Sequence, residues 1–346
     1  MGRLKGYVMK VLFDPQPRET DEILSPTALG QLRRHYDVVE WQGEDREAFY
    51  HRHLPSTELL ISQQPMGRAR LDLAPNLRAI FNVETNFLPN IDYDECFRRG
   101  IQVLAPGAVF ALPVAEMALG MALSLARNIH GEHAAFQKGQ EKWLFDGNHE
   151  SELLTNSTVG FIGFGDLGRA LHKLLSPFNV RVQAYDPWLS AGHLKRQGVE
   201  PASFENVMSQ NRFVFVMAAI TTENAYLINA QALDLMQHGA MLLLMSRAAA
   251  ADFSALAKAA ALGRIRVATD VFPIEPTTLG DPIRQAPNIL FSPHRAGALS
   301  MALREIGDRV LEDMDLIARG LTPVACRRAE RETVARFRSM PVQSRS

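Results

Sequence analysis

A glycine-rich run between an apolar segment and an amphipathic helix constrains the fold of this chain more than any other feature. Gly163, Gly165 and Gly168 form a G-x-G-x-x-G pattern at the end of the apolar segment Thr158–Phe164. The residues that follow are apolar at helical spacing, at positions Leu167, Ala170, Leu171 and Leu174. A strand, this glycine pattern and a helix in that order are typical of the βαβ unit that binds a dinucleotide.

The residue types in this run suit a bound pyrophosphate. Gly163 permits the tight turn, Gly165 lets the pyrophosphate approach the main chain, and Gly168 lets helix and strand pack closely. The phosphates then lie at the helix N-terminus, where free N–H groups and the helix dipole favour anions. We include Asp166 and Leu167 in the expected cofactor site, and Asp166, an acid beside the pyrophosphate, is also suited to capping the helix.

The next apolar segment decides which dinucleotide is expected. Val180–Tyr185 is followed by Asp186, eighteen residues past Gly168. A carboxylate at this position accepts hydrogen bonds from both ribose hydroxyls and repels a 2′-phosphate, which favours NAD over NADP. The alternative is a turn at a helix start that binds no ligand.

Apolar segments alternate with helix-compatible segments along the whole chain, which favours parallel sheets covered by helices on both faces. The predicted strands are Tyr7–Asp14, Tyr36–Gln42, Glu58–Ser62, Leu77–Val83, Ile101–Ala105, Thr158–Phe164, Val180–Tyr185, Phe213–Ala218, Ala240–Ser246, Ile265–Val271 and Ile289–Ser292. A long helix is predicted from Leu112 to about His133, and a final amphipathic helix from about Leu299 to Ala318. The 346 residues are enough for two domains, and the break is expected near residues 105–112.

Composition argues against several classes of partner. Lys plus Arg total 37 and Asp plus Glu total 38, so the net charge of −1 provides no attraction for nucleic acid or anionic membranes. The apolar stretch Ala108–Ala126 contains Pro113 and Glu116 and is expected to be a buried helix. The N-terminal run lacks the apolar core of a signal peptide, so we expect a cytoplasmic protein.

No metal site is expected. Cys96 and Cys326 are the only cysteines, and the pairs His51-x-His53 and His130-x-x-His133 lack a third ligand at zinc spacing. Surface histidines are the preferred interpretation.

Three further apolar strands are each followed by a reactive side chain: Arg247, Glu275 and His294. Ligands of open α/β sheets bind outside the carboxyl ends of the strands. Each residue alone fits an ordinary surface role, as an ion-pair partner, a solvated loop acid or a capped histidine. Their joint placement at strand ends favours an active site.

These segments together resemble the D-isomer-specific 2-hydroxyacid dehydrogenases. The resemblance rests on the glycine loop with Asp186, the strand ending in Arg247, the D-V-F-x-x-E-P run at 270–276 and the S-P-H-x-A-G run at 292–297. It implies interconversion of a 2-keto acid and a D-2-hydroxy acid with NAD as cofactor, and a catalytic set of Arg247, Glu275 and His294.

The chemistry suits those residue types. Reduction of a 2-keto acid needs a proton on the carbonyl oxygen, and histidine is the common donor near neutral pH. A Glu275 carboxylate on the other ring nitrogen of His294 fixes the tautomer and stabilises the protonated ring. Arg247 offers a planar fork that binds a carboxylate and polarises the carbonyl.

The resemblance also implies an architecture of two doubly wound parallel-sheet domains. Residues 106–296 form the Rossmann NAD-binding domain. Residues 1–105, completed by the C-terminal helix 297–326, form a smaller flavodoxin-like substrate domain. Residues 327–346 remain as a basic tail, which we interpret as a solvated terminus rather than a nucleic-acid arm. A homodimer built on the helix near 115–127 is implied as well, and the further implied cofactor contacts are Ala218, Ala219, Ser246, Asp270 at the nicotinamide end, and Gly297.

The sequence departs from the family pattern in the segment 83–92, which has no glycine. Asn86 and Phe87 stand where main-chain amides usually hold the substrate carboxylate, so we predict that both contact substrate and that their side chains project there. Arg295 follows His294 where an apolar residue is common, and this second cation favours an acidic or larger substrate.

A rival interpretation is an NAD(H)-sensing interaction protein, since corepressors of the C-terminal-binding-protein type are similar to this family. Retention of Arg247, Glu275 and His294 favours the enzyme. The identity of the acid stays open.

Overall fold

The computed structural model describes residues 8–84, 87–219, 225–332 and 334. It divides into two compact units, Met1–Phe110 with Leu299–Ser346, and Ala111–Ala298. The first unit's N-terminal segment ends at Phe110, slightly after residue 105, where the sequence predicted the domain boundary. The difference arises because a turn of 3-10 helix, Ala108–Phe110, belongs to the first unit. Val109 of this turn is buried in the same core as Ile306 and Val310 of the final helix.

Helices and strands are numbered in chain order. Residues 8–110 contain β1 (Lys10–Asp14), α1 (Thr20–Ile23), α2 (Pro26–His35), β2 (Asp37–Glu40), α3 (Arg46–His53), β3 (Leu59–Ser62), α4 (Arg68–Asp72), β4 (Ala79–Phe81), α5 (Tyr93–Arg99) and β5 (Gln102–Ala105). Residues 111–298 contain α6 (Ala111–Ala126), α7 (Ile129–Gln137), β6 (Thr158–Ile162), α8 (Asp166–Leu175), β7 (Arg181–Tyr185), α9 (Ala191–Arg196), β8 (Glu200–Pro201), α10 (Phe204–Gln210), β9 (Phe213–Val216), α11 (Ala230–Leu235), β10 (Met241–Leu244), α12 (Phe253–Ala261), β11 (Arg266–Thr269) and β12 (Ile289–Phe291). The remaining described elements are α13 (Ser300–Ala318) and β13 (Arg327–Arg328).

The sheet of the first unit has the order β13-β5-β4-β3-β1-β2. Strands β1 to β5 are parallel and follow the flavodoxin-like order 2-1-3-4-5. Strand β13 is antiparallel to β5, with Arg327 opposite Ala105. The prediction of a solvated tail from residue 327 is therefore wrong for its first residues, which form an edge strand.

A buried carboxylate holds this edge strand in place. Asp313 of α13 accepts hydrogen bonds from the main-chain N–H groups of Val324 (2.7 Å), Ala325 (3.0 Å) and Cys326 (2.7 Å). Three donors satisfy a charge that would be costly to bury alone. The chain after α13 is thus directed to β5 before it can extend into solvent.

The sheet of the second unit has the order β12-β11-β10-β9-β6-β7-β8, and all its strands are parallel. This is the Rossmann order, and the strand order reverses between β6 and β9. Short strand β8, Glu200–Pro201, was not predicted from the sequence because it has no apolar run. The reversal point is where an open α/β sheet leaves a crevice for a ligand.

The long predicted helix is two helices. α6 ends at Ala126 and α7 begins at Ile129, because Asn128 adopts a left-handed conformation with φ of 49°. The segment Ala108–Ala126 is long and apolar enough to cross a membrane by length and composition. Its larger part, α6, packs against α8, β10 and β11 of the second unit.

Candidate functional site

The glycine loop lies at the reversal point of the second sheet. Gly163 has φ of 84°, and a Cβ there would lie 2.5 Å from Cα of Ala218, which follows β9. A Cβ on Gly168 would lie 3.1 Å from the carbonyl oxygen of Gly163. Around Gly165 no heavy atom lies within 4 Å of such a Cβ, so the space in front of the N-terminus of α8 is open. The turn and the close packing thus need glycine, and the open side leaves room for a pyrophosphate.

Asp166 behaves differently from the expected cap. The N-cap of α8 is Gly165, with no side-chain hydrogen bond, so the interpretation of Asp166 as a capping residue is wrong. Its carboxylate forms an ion pair with Arg169, one turn along the helix. Leu167, next in the helix, is partly buried, and Ala219, which follows Ala218, is exposed.

Asp186 follows β7, the strand beside the glycine loop. One carboxylate oxygen accepts a hydrogen bond from the N–H of Phe164 at 2.8 Å, and the other from the N–H of Trp188 at 2.9 Å. These bonds orient the side chain at the carboxyl end of β7. Each oxygen retains acceptor capacity for a hydroxyl group of a ribose.

The three catalytic candidates follow neighbouring strands. In the parallel ladders of β10, β11 and β12, Leu244 pairs with Thr269, and Thr269 pairs with Phe291. These strands end at the same edge of the sheet. Arg247, Glu275 and His294 therefore all leave from one edge, the edge at which ligands of open α/β sheets bind.

Glu275 and His294 are in direct contact. Oε2 of Glu275 lies 2.5 Å from Nδ1 of His294, and Oε1 accepts the N–H of Phe272 at 2.8 Å. The His294 and Glu275 side chains are 46% and 35% exposed, so both are accessible from solvent. With the Nδ1 proton directed at the carboxylate, Nε2 is the nitrogen that can exchange a proton with a substrate.

Asp270 organises the segment that carries His294. Its buried carboxylate accepts hydrogen bonds from Oγ of Ser292 (2.5 Å) and from the N–H groups of Arg295 (3.0 Å) and Ala296 (3.0 Å). Between these donors His294 has φ of 48°, in the left-handed region that a histidine rarely adopts. The family resemblance implies only that Asp270 lies at the nicotinamide end. Ser292 was not predicted to have a role, although it is part of the S-P-H run.

Arg247 begins the turn Ala248–Ala250 after β10, and its Nη1 donates to the carbonyl of Ser246 at 2.8 Å. The Ser246 hydroxyl is buried and has no hydrogen-bond partner in the described part of the chain. A buried hydroxyl without a partner is unfavourable unless a ligand completes it. The unpartnered Ser246 hydroxyl and the open space at Gly165 show that this part of the second unit fits a bound NAD. Gly297, another expected cofactor contact, is partly buried.

The segment 83–92 belongs to the first unit. Asn86 lies outside the described residues. The Phe87 side chain is 2% exposed and packs edge-on against Tyr93, with ring centroids 6.3 Å apart. The prediction that the Phe87 side chain projects toward a substrate is therefore wrong, because it is part of the core.

Among residues 8–84, 87–219, 225–332 and 334, no group of three histidine, cysteine or acidic side chains is placed to hold a metal ion. Nδ1 of His130 lies 3.3 Å from Oγ of Ser124, and burial lowers the pKa of His130. Burial also lowers the pKa of His53 and raises the pKa of the Cys96 thiol to about 12.

Comparison with known proteins identifies the family. Residues 119–296, just over half of the chain, match the family model described as D-isomer specific 2-hydroxyacid dehydrogenase, NAD binding domain. The chain belongs to the D-isomer-specific 2-hydroxyacid dehydrogenase family. A hydroxypyruvate reductase of Thermotoga maritima is 30% identical to this dehydrogenase, and the match covers 75% of the present chain and 84% of the relative. A glyoxylate reductase of Pyrococcus furiosus is 28% identical, and that match covers 85% of the present chain and 90% of the relative.

Among solved structures, a phosphoglycerate oxidoreductase from Rhizobium etli is 44% identical to this dehydrogenase and has a TM-score of 0.86. The match covers 94% of this chain and 100% of that one. D-3-phosphoglycerate dehydrogenases of Mycobacterium are longer proteins, and the match covers 56% of their length. The chain is thus an NAD-dependent dehydrogenase that interconverts 2-keto and 2-hydroxy acids, and no comparison supports a corepressor.

Proposed function

We propose that this dehydrogenase reduces a 2-keto acid to the D-2-hydroxy acid, with His294 as the proton donor, Arg247 as the carboxylate-binding cation and Glu275 as the residue that orients His294. The observation that carries this proposal is the 2.5 Å contact between Glu275 and His294, at the sheet edge that Arg247 also borders. A histidine whose Nδ1 is held by a carboxylate presents Nε2 for acid–base chemistry.

NADH, when bound, supplies the hydride for carbonyl reduction. Protonated His294 donates from Nε2 to the oxygen that becomes the hydroxyl, and Glu275 stabilises the positive ring before the transfer. Arg247 binds the carboxylate through two parallel N–H bonds and fixes the orientation of the carbonyl. In the oxidative direction, neutral His294 accepts the hydroxyl proton, so the two directions require opposite protonation states of one residue.

The proposal is tested with purified protein, NADH and a panel of 2-keto acids, by following NADH absorbance. We expect turnover with at least one acid and a D-configured product by chiral chromatography. Binding of NADH without oxidation by any acid in the panel contradicts the proposal and favours the NAD(H)-sensing alternative.

We also propose that this dehydrogenase is a homodimer that pairs through α6, α7 and the segment after them. Large apolar side chains are exposed there in the single chain: Leu112, Ile129, Phe136, Trp143, Leu144, Phe145 and Leu153. Exposed apolar clusters of this kind commonly mark interfaces. Light scattering after gel filtration is expected to give twice the monomer mass of 38.5 kDa, and Phe136→Asp to give more monomer. A wild-type monomer at micromolar concentration contradicts the dimer.

A further inference from the structure

We propose that Arg295 binds a second anionic group of the substrate, so that this enzyme prefers 2-keto acids with a carboxylate or phosphoryl group at the end remote from the keto acid. This inference rests on the proposed function, because it concerns the substrate that His294 protonates. It assigns a role to a residue outside the Arg247, Glu275 and His294 set.

The main chain of Arg295 is fixed beside the proton donor. Arg295 directly follows His294, and its N–H donates to the Asp270 carboxylate at 3.0 Å. The next N–H, of Ala296, donates to the other oxygen of Asp270 at 3.0 Å. The side chain thus leaves from a held position next to His294 rather than from a loose loop.

The acidic groups of this edge are already engaged by other donors. Asp270 is buried and accepts from Ser292, Arg295 N–H and Ala296 N–H. Both oxygens of Glu275 are occupied, one by His294 and the other by the Phe272 N–H. Neither carboxylate forms an ion pair with the Arg295 guanidinium in the described part of the chain.

The Arg295 guanidinium accordingly forms no ion pair with any residue in the described part of the chain, and the residue is exposed. Three other arginines of the second unit do form ion pairs: Arg169 pairs with Asp166, and both Arg212 and Arg266 pair with Glu152. A guanidinium is a planar five-donor group that binds carboxylate or phosphate through two bonds. Its position beside His294 therefore suits an anion brought in with the substrate.

The requirement for a second anionic group on the substrate follows from the different roles of Arg247 and Arg295. In the proposed reaction the keto-acid carboxylate binds Arg247, so this anion is not available to Arg295. A distal carboxylate or phosphoryl group provides a separate partner, whereas an uncharged end leaves Arg295 hydrated at no cost. The preference is consequently a gain for dianionic acids, of roughly 10–100-fold for one charge-assisted contact.

The test compares kcat/KM for two matched pairs of acids in the wild type. Hydroxypyruvate and 3-phosphohydroxypyruvate differ only in a phosphoryl group, and 2-oxovalerate and 2-oxoglutarate differ at the terminal carbon. We expect the acid with the second anion to be favoured at least tenfold in one pair. In Arg295→Gln this ratio falls roughly tenfold or more, mainly through the KM of the dianionic acid, and Arg295→Lys retains an intermediate ratio.

Arg181→Gln is the matched control, since Arg181 is an exposed arginine at the amino end of β7, the opposite end of the sheet. It removes the same charge and is expected to keep the wild-type ratio. A wild type that reduces both members of each pair equally, or an Arg295→Gln ratio equal to that of the wild type, overturns the role of Arg295 and leaves the proposed function intact. Absence of NADH oxidation with every acid overturns both.

Discussion

The carboxylate of Glu275 bridges two parts of the active-site edge, because Oε2 lies 2.5 Å from Nδ1 of His294 while Oε1 accepts the N–H of Phe272 at 2.8 Å. The second bond prevents the carboxylate from rotating away from the imidazole. Glu275 therefore acts on His294 in two ways, through its geometry and through its charge, and the two can be separated by substitution.

Glu275→Gln retains the size of the side chain and removes its charge. Glutamine can still accept the N–H of Phe272, but it supplies no negative charge to the Nδ1 proton of His294. We expect kcat for keto-acid reduction at a fixed pH, followed by NADH absorbance, to fall roughly tenfold or more, because a hydrogen bond to a charged group is lost beside the proton donor.

Asp281→Asn is the control for this loss of charge. Asp281 is an acid in the same loop that caps a short turn through the Ile283 N–H, and asparagine can keep that bond. We expect its kcat to equal that of the wild type. A kcat of Glu275→Gln equal to that of the wild type shows that the charge of Glu275 does not support His294.

His294→Ala removes the proton donor. We expect kcat for keto-acid reduction to fall by roughly 10²–10⁴-fold, the usual contribution of general acid catalysis. Affinity for NADH, measured by fluorescence titration, is expected to change little, since the cofactor fits the glycine loop and Asp186. His238→Ala, at an exposed histidine before β10, serves as control. Unchanged turnover in His294→Ala would identify another group as the donor.

Asp186 is expected to make NADH the preferred cofactor, because its carboxylate and a 2′-phosphate are like charges in a partly desolvated site. Asp186→Asn keeps an acceptor oxygen and removes the charge. Its preference for NADH over NADPH, as a ratio of kcat/KM values, is expected to fall about tenfold or more. Tighter binding of NADPH than NADH to the wild type, measured by titration, contradicts this role of Asp186.

Ser292 is expected to position His294 without touching the substrate. Ser292→Ala removes one of the three donors to Asp270, and a hydrogen bond to a charged group contributes about 1.5–3 kcal/mol. We expect kcat to fall roughly tenfold with little change in KM for NADH, and Ser292→Thr to restore most of it. Thr158→Val removes a hydroxyl that accepts the Arg212 N–H at the opposite edge of the sheet, and should leave kcat unchanged. Equal kcat in Ser292→Ala and wild type refutes the positioning role.

The sequence predicted the central parts of the sheets better than their ends. The segment Ala240–Ser246 was predicted as a strand, but the ladder of β10 stops at Leu244. Met245 and Ser246 are also buried, so a hydrophobic pattern cannot distinguish them from strand residues. Beyond the ladder the chain turns toward the site, and this change of direction depends on tertiary contacts.

The functional site, like the sheets, could be predicted from the sequence only in part. Arg247, Glu275 and His294 could be assigned to one edge from the sequence, because parallel strands share their carboxyl ends. The hydrogen bonds to Asp270 from the main-chain N–H groups of Arg295 and Ala296 could not be predicted, since main-chain donors have no residue-type signal. The buried position of Phe87 was missed for a related reason: the comparison with a glycine-containing loop indicates where a side chain is added, but not which way it points.

Glu152 is the residue for which the structure predicts a pH-dependent contribution to stability. Its carboxylate pairs with Arg212 and with Arg266, whose guanidinium also donates to the carbonyl of Leu125 in α6. Burial alone would raise the pKa of Glu152, but the two guanidinium groups outweigh it and hold the pKa below its usual value. A carboxyl group with a lowered pKa stabilises the folded state above its unfolded pKa, and this contribution is lost as the pH falls through the folded pKa.

Glu152→Gln is therefore expected to lower the free energy of unfolding by about 1–3 kcal/mol at neutral pH, because two guanidinium groups lose their shared anion. Thermal unfolding followed by circular dichroism measures the difference in Tm from wild type. That difference should be constant between about pH 5 and 8 and should narrow below about pH 4.5, where the unfolded carboxyl group becomes protonated. Glu205→Gln, at an exposed acid of α10, is the control and should show no such dependence. If the Tm difference between Glu152→Gln and the wild type is as large at pH 4 as at neutral pH, the charge of Glu152 does not account for its contribution to stability.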